Sequence, residues 1–247
     1  MKKKLAIILT SAVLATSLCA CGKEETTTTA EPTTETITQT TADTNDTEDS
    51  DTPASNDDAQ TSDEAFQAER GSVDENNVYT NRSFDISFKI DDNCTIYSDA
   101  EIIQLLGVGQ DILQDSVGYT SEQLEAALSG TFYDVWFSYP DGMSNIYVAY
   151  ENLDTMGASN VGEDMFILSM KQQFEAVTSL GYTFDDDTTE TYAGQTYSCI
   201  NAHTNRNMDQ KVLLRKYKNY MICITISYPA GTTQIPDNFL SSITNAE

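Results

Sequence analysis

The sequence contains one histidine, His203, and five cysteines, and catalytic or metal-binding chemistry would be expected first from these side chains. An imidazole titrates near neutral pH and therefore suits a general base. His203 lies near the end of a predicted strand, where hydrogen bonding to solvent or backbone is the commoner situation. A zinc site would have to add Cys94, Cys199 and Cys223, which lack the paired CxxC spacing of zinc ligands. We therefore predict no catalytic residue, no metal site and no cofactor.

The cysteines beyond the N-terminal region leave two alternatives open. Cys199 and Cys223 lie on predicted strands that are close in sequence, so a disulfide between them is one alternative for a protein outside the cell. Buried free thiols that pack as small apolar groups are the other alternative. The spacing of the cysteines does not decide between them.

Two clusters of charge offer other kinds of chemistry. The acidic cluster, Asp185-Asp186-Asp187 with Glu190, lacks the glycine and the spacing of a calcium-binding loop, which favours a solvated turn. The one basic cluster of the predicted domain lies on a later strand and consists of Lys211, Arg215, Lys216 and Lys218. It has two interpretations: an exposed strand edge protected from aggregation by its charges, or a contact for an acidic partner through Lys211 and Arg215.

The N-terminal segment has the plan of an export signal. Met1 is followed by three lysines, and a mainly apolar run extends from Leu5 to Leu14 with Thr10 and Ser11 within it. A basic start before a short apolar run is typical of signal peptides, and a membrane span would need about 20 apolar residues. We therefore assign residues 1–20 to a signal peptide that is removed on export.

The apolar run closes on Leu18-Cys19-Ala20-Cys21, which resembles the lipobox of bacterial lipoproteins. In that family the thiol of the cysteine corresponding to Cys21 receives a diacylglycerol, and this cysteine becomes the N-terminus. The resemblance implies a lipid anchor on the extracytoplasmic face of the bacterial cell membrane. Two acyl chains matter because each buried methylene contributes only about 0.8 kcal/mol. The alternative is a plain signal peptide, with Cys21 an ordinary residue.

Residues 21–77 differ in composition from the rest of the chain. They are rich in threonine, aspartate and glutamate and poor in apolar residues, so they cannot bury enough surface to offset the entropy of ordering. We predict a disordered tether between the membrane and a folded domain. The chain has a formal charge of −26, and removal of the leader would make it more negative because three lysines leave. Such a charge argues against nucleic acid as a partner.

Residues 78–247 are predicted to form one globular domain. Apolar and polar residues alternate from Phe84 to Ile90, which indicates a strand. Ser98 and Glu101 form a capping box that begins a helix, and this helix is expected to end near Gly107. A second helix is predicted from Thr120 to Gly130.

The second half of the predicted domain is richer in strands. A hairpin is expected on either side of the turn Pro140-Asp141-Gly142. The longest helix is predicted from Asn160 to Gly181 because apolar residues recur at helical spacing. A β-meander over residues 182–228 and a short helix at 236–243 follow. The fold class predicted is α+β, with an antiparallel β-sheet flanked by helices and preceded by the disordered tether.

The opening of the domain resembles that of PsbP-like domains, which occur in many bacterial lipoproteins. The residues that carry the resemblance are the strand from Phe84 to Ile90, the short strand Thr95-Ile96-Tyr97 and the acid-rich helix start at Ser98. Asp91 and Cys94 stand where the family usually has Pro and Trp. The resemblance implies an antiparallel sheet flanked by helices and a role as a binding or assembly subunit. It brings no catalytic residues.

Trp136 is the one tryptophan of the chain and lies on a predicted strand. Strict alternation places Tyr133, Val135 and Phe137 on the core face and Phe132 and Trp136 together on the other face. Two alternatives follow for this second face. Trp136 is either covered by a helix, or it forms with Phe132 a patch that contacts a partner.

Together these features favour a membrane-anchored extracytoplasmic lipoprotein that acts as a non-catalytic binding or assembly module for an envelope protein. Two other functions stay open. One is an envelope hydrolase in which a serine or aspartate works with His203, and the other is a solute-capture lipoprotein of a transporter.

Overall fold

The computed structural model describes residues 66–246, except residues 118–119, 122–127 and 129. The helices in the described residues are α1 (Asp99–Val117), α2 (Glu163–Ala176) and α3 (Gln234–Ser241). The strands are β1 (Ser72–Val73), β2 (Val78–Asn81), β3 (Ile86–Lys89), β4 (Thr95–Ile96), β5 (Thr131–Ser138), β6 (Asn145–Asn152), β7 (Thr183–Phe184), β8 (Thr188–Tyr192), β9 (Gln195–His203), β10 (Met208–Tyr217) and β11 (Tyr220–Pro229). Across these residues, none of the helices combines the length and apolar character that crossing a membrane requires.

Two antiparallel sheets form the framework. The large sheet has the strand order β4-β5-β6-β11-β10-β9-β7, and β8 also pairs with β9. The small sheet has the order β1-β2-β3. The longest pairing joins β10 to β11 from Met208 with Pro229 to Tyr217 with Tyr220. The predicted α+β class, the hairpin and the β-meander are confirmed.

Both faces of the large sheet are covered by other elements. On one face, Ile222, Ile224 and Ile226 of β11 belong to a core that also includes residues of the small sheet and of α3. On the other face, Met221 and Cys223 of β11 belong to a core with residues of α2. The alternating side chains of β11 thus point to opposite faces of the large sheet, as expected for a strand. Both faces are buried, because α2 covers one and the small sheet with α3 covers the other.

β5 contains a bulge that resets its alternation. Tyr133 pairs with Ala149 and Val135 pairs with Val148, so Asp134 is the extra residue. A bulged residue shifts the following side chains to the opposite face. Tyr133 and Trp136 therefore belong to the same cluster beneath α1. The expectation that Tyr133 shares a face with Val135 is wrong, and so is the expectation that Phe132 and Trp136 share one.

The folded body begins earlier than the expected start at Val78. β1 pairs with β2 through Ser72 with Thr80, and the ring of Phe66 lies edge-on to the rings of Tyr217 and Tyr220 at 5.7 and 5.8 Å. We name residues 66–77 the N-terminal arm. The amino-acid composition of the N-terminal arm is close to that of the predicted tether, since the arm adds only one aromatic residue and a two-residue strand. Composition therefore did not reveal that the arm is folded.

The helices differ from expectation mainly in their ends. The capping box is confirmed, since the Ser98 N–H donates to Glu101 Oε2 at 2.8 Å. α1 continues through Gly107 to Val117, and its 19 residues exceed the 14 of α2. Each glycine costs a helix only about 1 kcal/mol, so Gly107 and Gly109 do not end α1. The helix predicted from Thr120 to Gly130 falls mostly outside the described residues.

Candidate functional site: a cleft beside Trp136

A cleft of about 160 Å³ lies beside the hairpin formed by β5 and β6. Its lining comes from the segment before α1, from α1 itself, from β5, and from the hairpin turn with the start of β6: Tyr97, Leu105, Trp136, Ser138, Gly142, Met143, Ser144 and Asn145. We name this feature the Trp136 cleft. Its volume is similar to the roughly 150 Å³ of a protein cavity that holds a benzene ring. The Trp136 cleft can therefore accept one aromatic or branched aliphatic group.

Tyr97 is fixed on one side of the Trp136 cleft by three contacts. Its N–H donates to the Trp136 carbonyl oxygen at 2.9 Å, and its hydroxyl donates to Ser138 Oγ at 3.0 Å. Its ring lies edge-on to the Trp136 indole, with centroids 6.3 Å apart. These contacts extend the pairing of β4 with β5 and hold the aromatic lining in place without a ligand.

The hairpin turn sets the opposite side. Asp141 Oδ1 accepts the N–H groups of Met143 at 2.9 Å and of Ser144 at 2.7 Å. Gly142 has a φ of 69°, a conformation that a residue with a Cβ rarely adopts. Burial opposes ionisation of Asp141, but the hydrogen bonds from Ser144 and Met143 hold its pKa below the ordinary value. The charged carboxylate thus organises a turn that leaves Met143 42% exposed.

Trp136 is only 2% exposed, which agrees with the alternative in which a helix covers it. Its indole packs against the rings of Tyr133 and Tyr147, with centroids 5.9 and 5.3 Å away. Phe132 is 44% exposed, but it stacks on Tyr150 at 5.4 Å on the opposite face of the sheet. Trp136 and Phe132 therefore do not form a joint patch, and Trp136 is accessible only as part of the cleft lining.

The charges of Lys211 and Arg215 are used inside the protein. The Arg215 guanidinium is buried and donates to the Phe84 carbonyl oxygen and to Gln195 Oε1. Lys211 forms an ion pair with Glu190. Both interpretations of the basic cluster require exposed charges, and the structure instead gives these two residues an internal role on β10.

His203 is held between two carboxylates. Its Nδ1 lies 2.8 Å from Asp209 Oδ1, and its Nε2 lies 3.2 Å from Asp185 Oδ2. The hydrogen bond with Asp209 is the main reason that the pKa of His203 is raised. A general base needs a ring nitrogen directed at a nucleophile or a substrate. In this arrangement both nitrogens are directed at Asp side chains.

The three cysteines among the described residues, Cys94, Cys199 and Cys223, are free thiols. Cys199 and Cys223 lie on β9 and β11, and β10 runs between them. They also belong to cores on opposite faces of the large sheet. Burial raises the pKa of Cys199 to about 11 and that of Cys223 to about 12. The alternative of buried thiols therefore describes Cys199 and Cys223.

Within the described part of the chain, no group of three or more His, Cys, Asp or Glu side chains is arranged to hold a metal ion. Cys21 lies outside the described residues.

Asp134 is a buried, multiply hydrogen-bonded residue that the sequence patterns did not single out. Its side chain is fully buried. It accepts hydrogen bonds from the Gly71 N–H at 2.9 Å, the Tyr79 hydroxyl at 2.5 Å and Asn81 Nδ2 at 2.7 Å. Arg70 Nε lies 3.5 Å away. The signal in the sequence was a lone acidic residue between aromatic residues of a strand. Asp134 joins the N-terminal arm and the small sheet to the large sheet.

No protein-family model and no curated protein sequence matches this chain. Similar solved structures include the cyanobacterial PsbP protein CyanoP of Synechocystis sp. PCC 6803, with 13% identity and a TM-score of 0.40 over 68% of this chain and 91% of that chain. LpqN of Mycobacterium tuberculosis, described as involved in cell envelope biogenesis, has 9% identity and a TM-score of 0.36 over 66% and 83% of the two chains. A protein of Bacteroides thetaiotaomicron VPI-5482 has 9% identity and a TM-score of 0.32 over 73% of this chain and 50% of that chain.

Proposed function

We propose that this chain is a lipid-anchored extracytoplasmic binding module that holds an envelope protein through an apolar side chain inserted in the Trp136 cleft. The lipobox-like run that ends at Cys21 supports the anchor, and the acidic, threonine-rich residues after it support a tether. The cleft supports binding as the activity of the folded body.

The observation that carries this proposal is the chemistry of the cleft lining. None of its eight described lining residues is Asp, Glu, Lys, Arg, His or Cys. Its aromatic and aliphatic side chains can enclose an apolar group, and the Ser138 hydroxyl and the Asn145 amide can accept or donate hydrogen bonds beside it. Such a site can hold a partner, but it lacks the groups that transfer protons in hydrolysis.

The shape of the cleft favours a side chain of a protein over a free small molecule. Drug-sized ligands occupy pockets of about 300 to 1,000 Å³, and this cleft has about 160 Å³. Protein interfaces often draw most of their affinity from a few residues in small desolvated pockets. Met143 at the rim is flexible and polarisable, which suits adaptation to an incoming side chain.

Photo-crosslinking tests this proposal. A photoreactive amino acid at Met143 should form an adduct with one envelope protein in intact cells. Ser138→Leu fills the cleft and should abolish the adduct, whereas Ser159→Leu, on an exposed loop, should leave it unchanged. The same photoreactive residue at the exposed Leu168 of α2 is the positional control. An adduct at Met143 that survives Ser138→Leu would show that the cleft does not hold the partner.

A further inference from the structure

Four hydroxyl residues form one row across the small sheet. Ser72 pairs with Thr80, Thr80 pairs with Ser87, and Ser87 forms a bridge with Thr244. The N–H groups of Ser87 and Thr244 each donate to the carbonyl oxygen of the other at 2.8 Å. The C-terminal segment is thus a fourth member of the small sheet. Neighbouring strands lie about 4.8 Å apart, so the hydroxyl residues repeat at about this spacing.

The hydroxyl row faces away from the large sheet. Tyr79 of β2 and Ile86 and Phe88 of β3 are buried in the core against the large sheet. Side chains alternate along a strand, so Thr80 and Ser87 point to the other side. There they line a groove of about 660 Å³, together with Ser72, Asp74, Val78, Arg82, Thr244 and Asn245. This volume lies within the usual range of ligand sites.

Three of the four hydroxyl groups of the row, those of Thr80, Ser87 and Thr244, have their protons engaged by hydrogen bonds within the protein. The Ser87 hydroxyl donates to the Tyr79 carbonyl oxygen at 2.8 Å, and the Thr244 hydroxyl donates to the Ser87 carbonyl oxygen at 3.4 Å. Thr80 Oγ1 lies 3.2 Å from Ser87 Oγ and donates to it, because the proton of Ser87 is already used. A hydroxyl oxygen has two lone pairs. The row therefore presents hydrogen-bond acceptors to the groove.

The groove is formed before a ligand arrives. The Asp85 carboxylate accepts Asn245 Nδ2 and the Ala246 N–H, both at 2.9 Å. These bonds hold the C-terminal segment beside β3. On the other side, Asp74 Oδ1 accepts the N–H groups of Asn76 at 2.9 Å and Val78 at 2.8 Å, which fixes the turn between β1 and β2. Little conformational entropy would be lost when a ligand binds.

We propose that this groove binds a neutral, β-linked glycan chain of the cell envelope, laid along the hydroxyl row. Its lining carries one carboxylate, Asp74, and one guanidinium, Arg82, so it has no net charge in a chain of formal charge −26. An acceptor-rich surface suits a ligand with many O–H and N–H donors, which sugars supply. An extended β-linked glycan advances by about one strand spacing for each sugar ring, which matches the repeat of the row.

Titration calorimetry on the full chain tests this site. The probe is the β-1,4-linked tetramer of N-acetylglucosamine, and the mismatched probe is maltotetraose, which is α-linked and coiled. The β-linked tetramer should bind with a Kd of about 1 mM or tighter, and maltotetraose should bind at least about tenfold more weakly. Thr80→Val with Thr244→Val should weaken binding by about tenfold or more, because two hydrogen bonds are lost.

The matched control is Thr189→Val on the exposed strand β8, which should bind like the unchanged chain. Valine suits strands, so Thr80→Val with Thr244→Val should leave the small sheet folded. Arg82→Gln is a second groove variant. It lies outside the strands and should also weaken binding. No heat from the β-linked tetramer, equal binding of the two probes, or unchanged binding in both groove variants would each overturn the proposal. The groove and the Trp136 cleft lie on opposite sides of the large sheet, so neither result bears on the other.

Discussion

Asp134 shows how one side chain can decide where a domain begins. A buried carboxylate is costly unless it is paired and hydrogen-bonded. Asp134 meets this condition through Gly71, Tyr79 and Asn81, with Arg70 nearby. Each of these partners lies at least 53 residues away in sequence. The bulge supplies the extra residue that directs this carboxylate towards them.

Asp134→Ala should therefore destabilise the folded body. It leaves the Tyr79 hydroxyl, the Asn81 amide and the Gly71 N–H without their acceptor, so we expect a loss of about 3 kcal/mol in the free energy of unfolding. Urea unfolding followed by circular dichroism measures this loss. Asp186→Ala, at an exposed position, is the control. Equal stability of the two variants would contradict the role given to Asp134.

His203 predicts a defined dependence on pH. Its pKa is raised, first by the hydrogen bond with Asp209 and also by Asp185. A raised pKa in the folded state means that the protonated form stabilises the fold. This contribution is complete below the unfolded pKa of about 6.5 and is lost as the pH rises through the folded value.

NMR titration of the imidazole measures this pKa directly, since the chain has one histidine. The midpoint should lie above the ordinary value in the unchanged protein and should fall in Asp209→Asn. The paired control is Asp186→Asn, which removes the exposed charge next to Asp185 in sequence but removes no contact with the His203 ring. An equal midpoint in Asp209→Asn and in the unchanged protein would show that Asp209 does not raise the pKa of His203.

At the scale of elements, the bulge in β5 predicts the environment of Trp136. The indole is packed between aromatic rings under α1, so its emission should be blue-shifted and resistant to acrylamide. Tyr97→Ala removes one side of the cleft and should make the indole easier to quench. Red, readily quenched emission from the unchanged protein would show that Trp136 lies on an open face.

The N-terminal arm predicts the product of limited proteolysis. A resistant core should begin near Phe66, because β1 and the bonds of Arg70 and Gly71 to Asp134 fix the arm on the body. In Asp134→Ala the cut should move towards Val78. Mass spectrometry of the fragments measures where the resistant core begins in the unchanged chain and in Asp134→Ala. A core that begins near Val78 in the unchanged chain would show that the arm is not held.

Elements defined by local sequence were predictable. The capping box of Ser98 and Glu101, the turn at Pro140-Asp141-Gly142 and the alternation along β11 depend on neighbours within a few residues. The bulge at Asp134 and the N-terminal arm depend on contacts between distant segments, which periodicity does not register. The Trp136 cleft was only partly predictable. Trp136 could be singled out, but Tyr97, Leu105 and Met143 come together only through the fold.

At the scale of the whole molecule, a predicted anchor and a predicted tether precede a folded body that has two separate surfaces. The Trp136 cleft is uncharged and small, and the hydroxyl row is polar and extended. The strong negative charge of the chain would repel an anionic lipid surface. With the proposed lipid anchor in place, a tether with this charge would keep the folded body away from the membrane surface.

We propose that lipid on Cys21 holds the protein at the membrane. Growth with a clickable fatty-acid analogue, followed by separation of cells from medium, tests it most directly. The unchanged chain should be labelled and stay with the membrane, whereas Cys21→Ala should be unlabelled and appear in the medium. Cys19→Ala is the matched control and should behave like the unchanged chain. Labelled Cys21→Ala protein on the membrane would show that Cys21 does not carry the lipid.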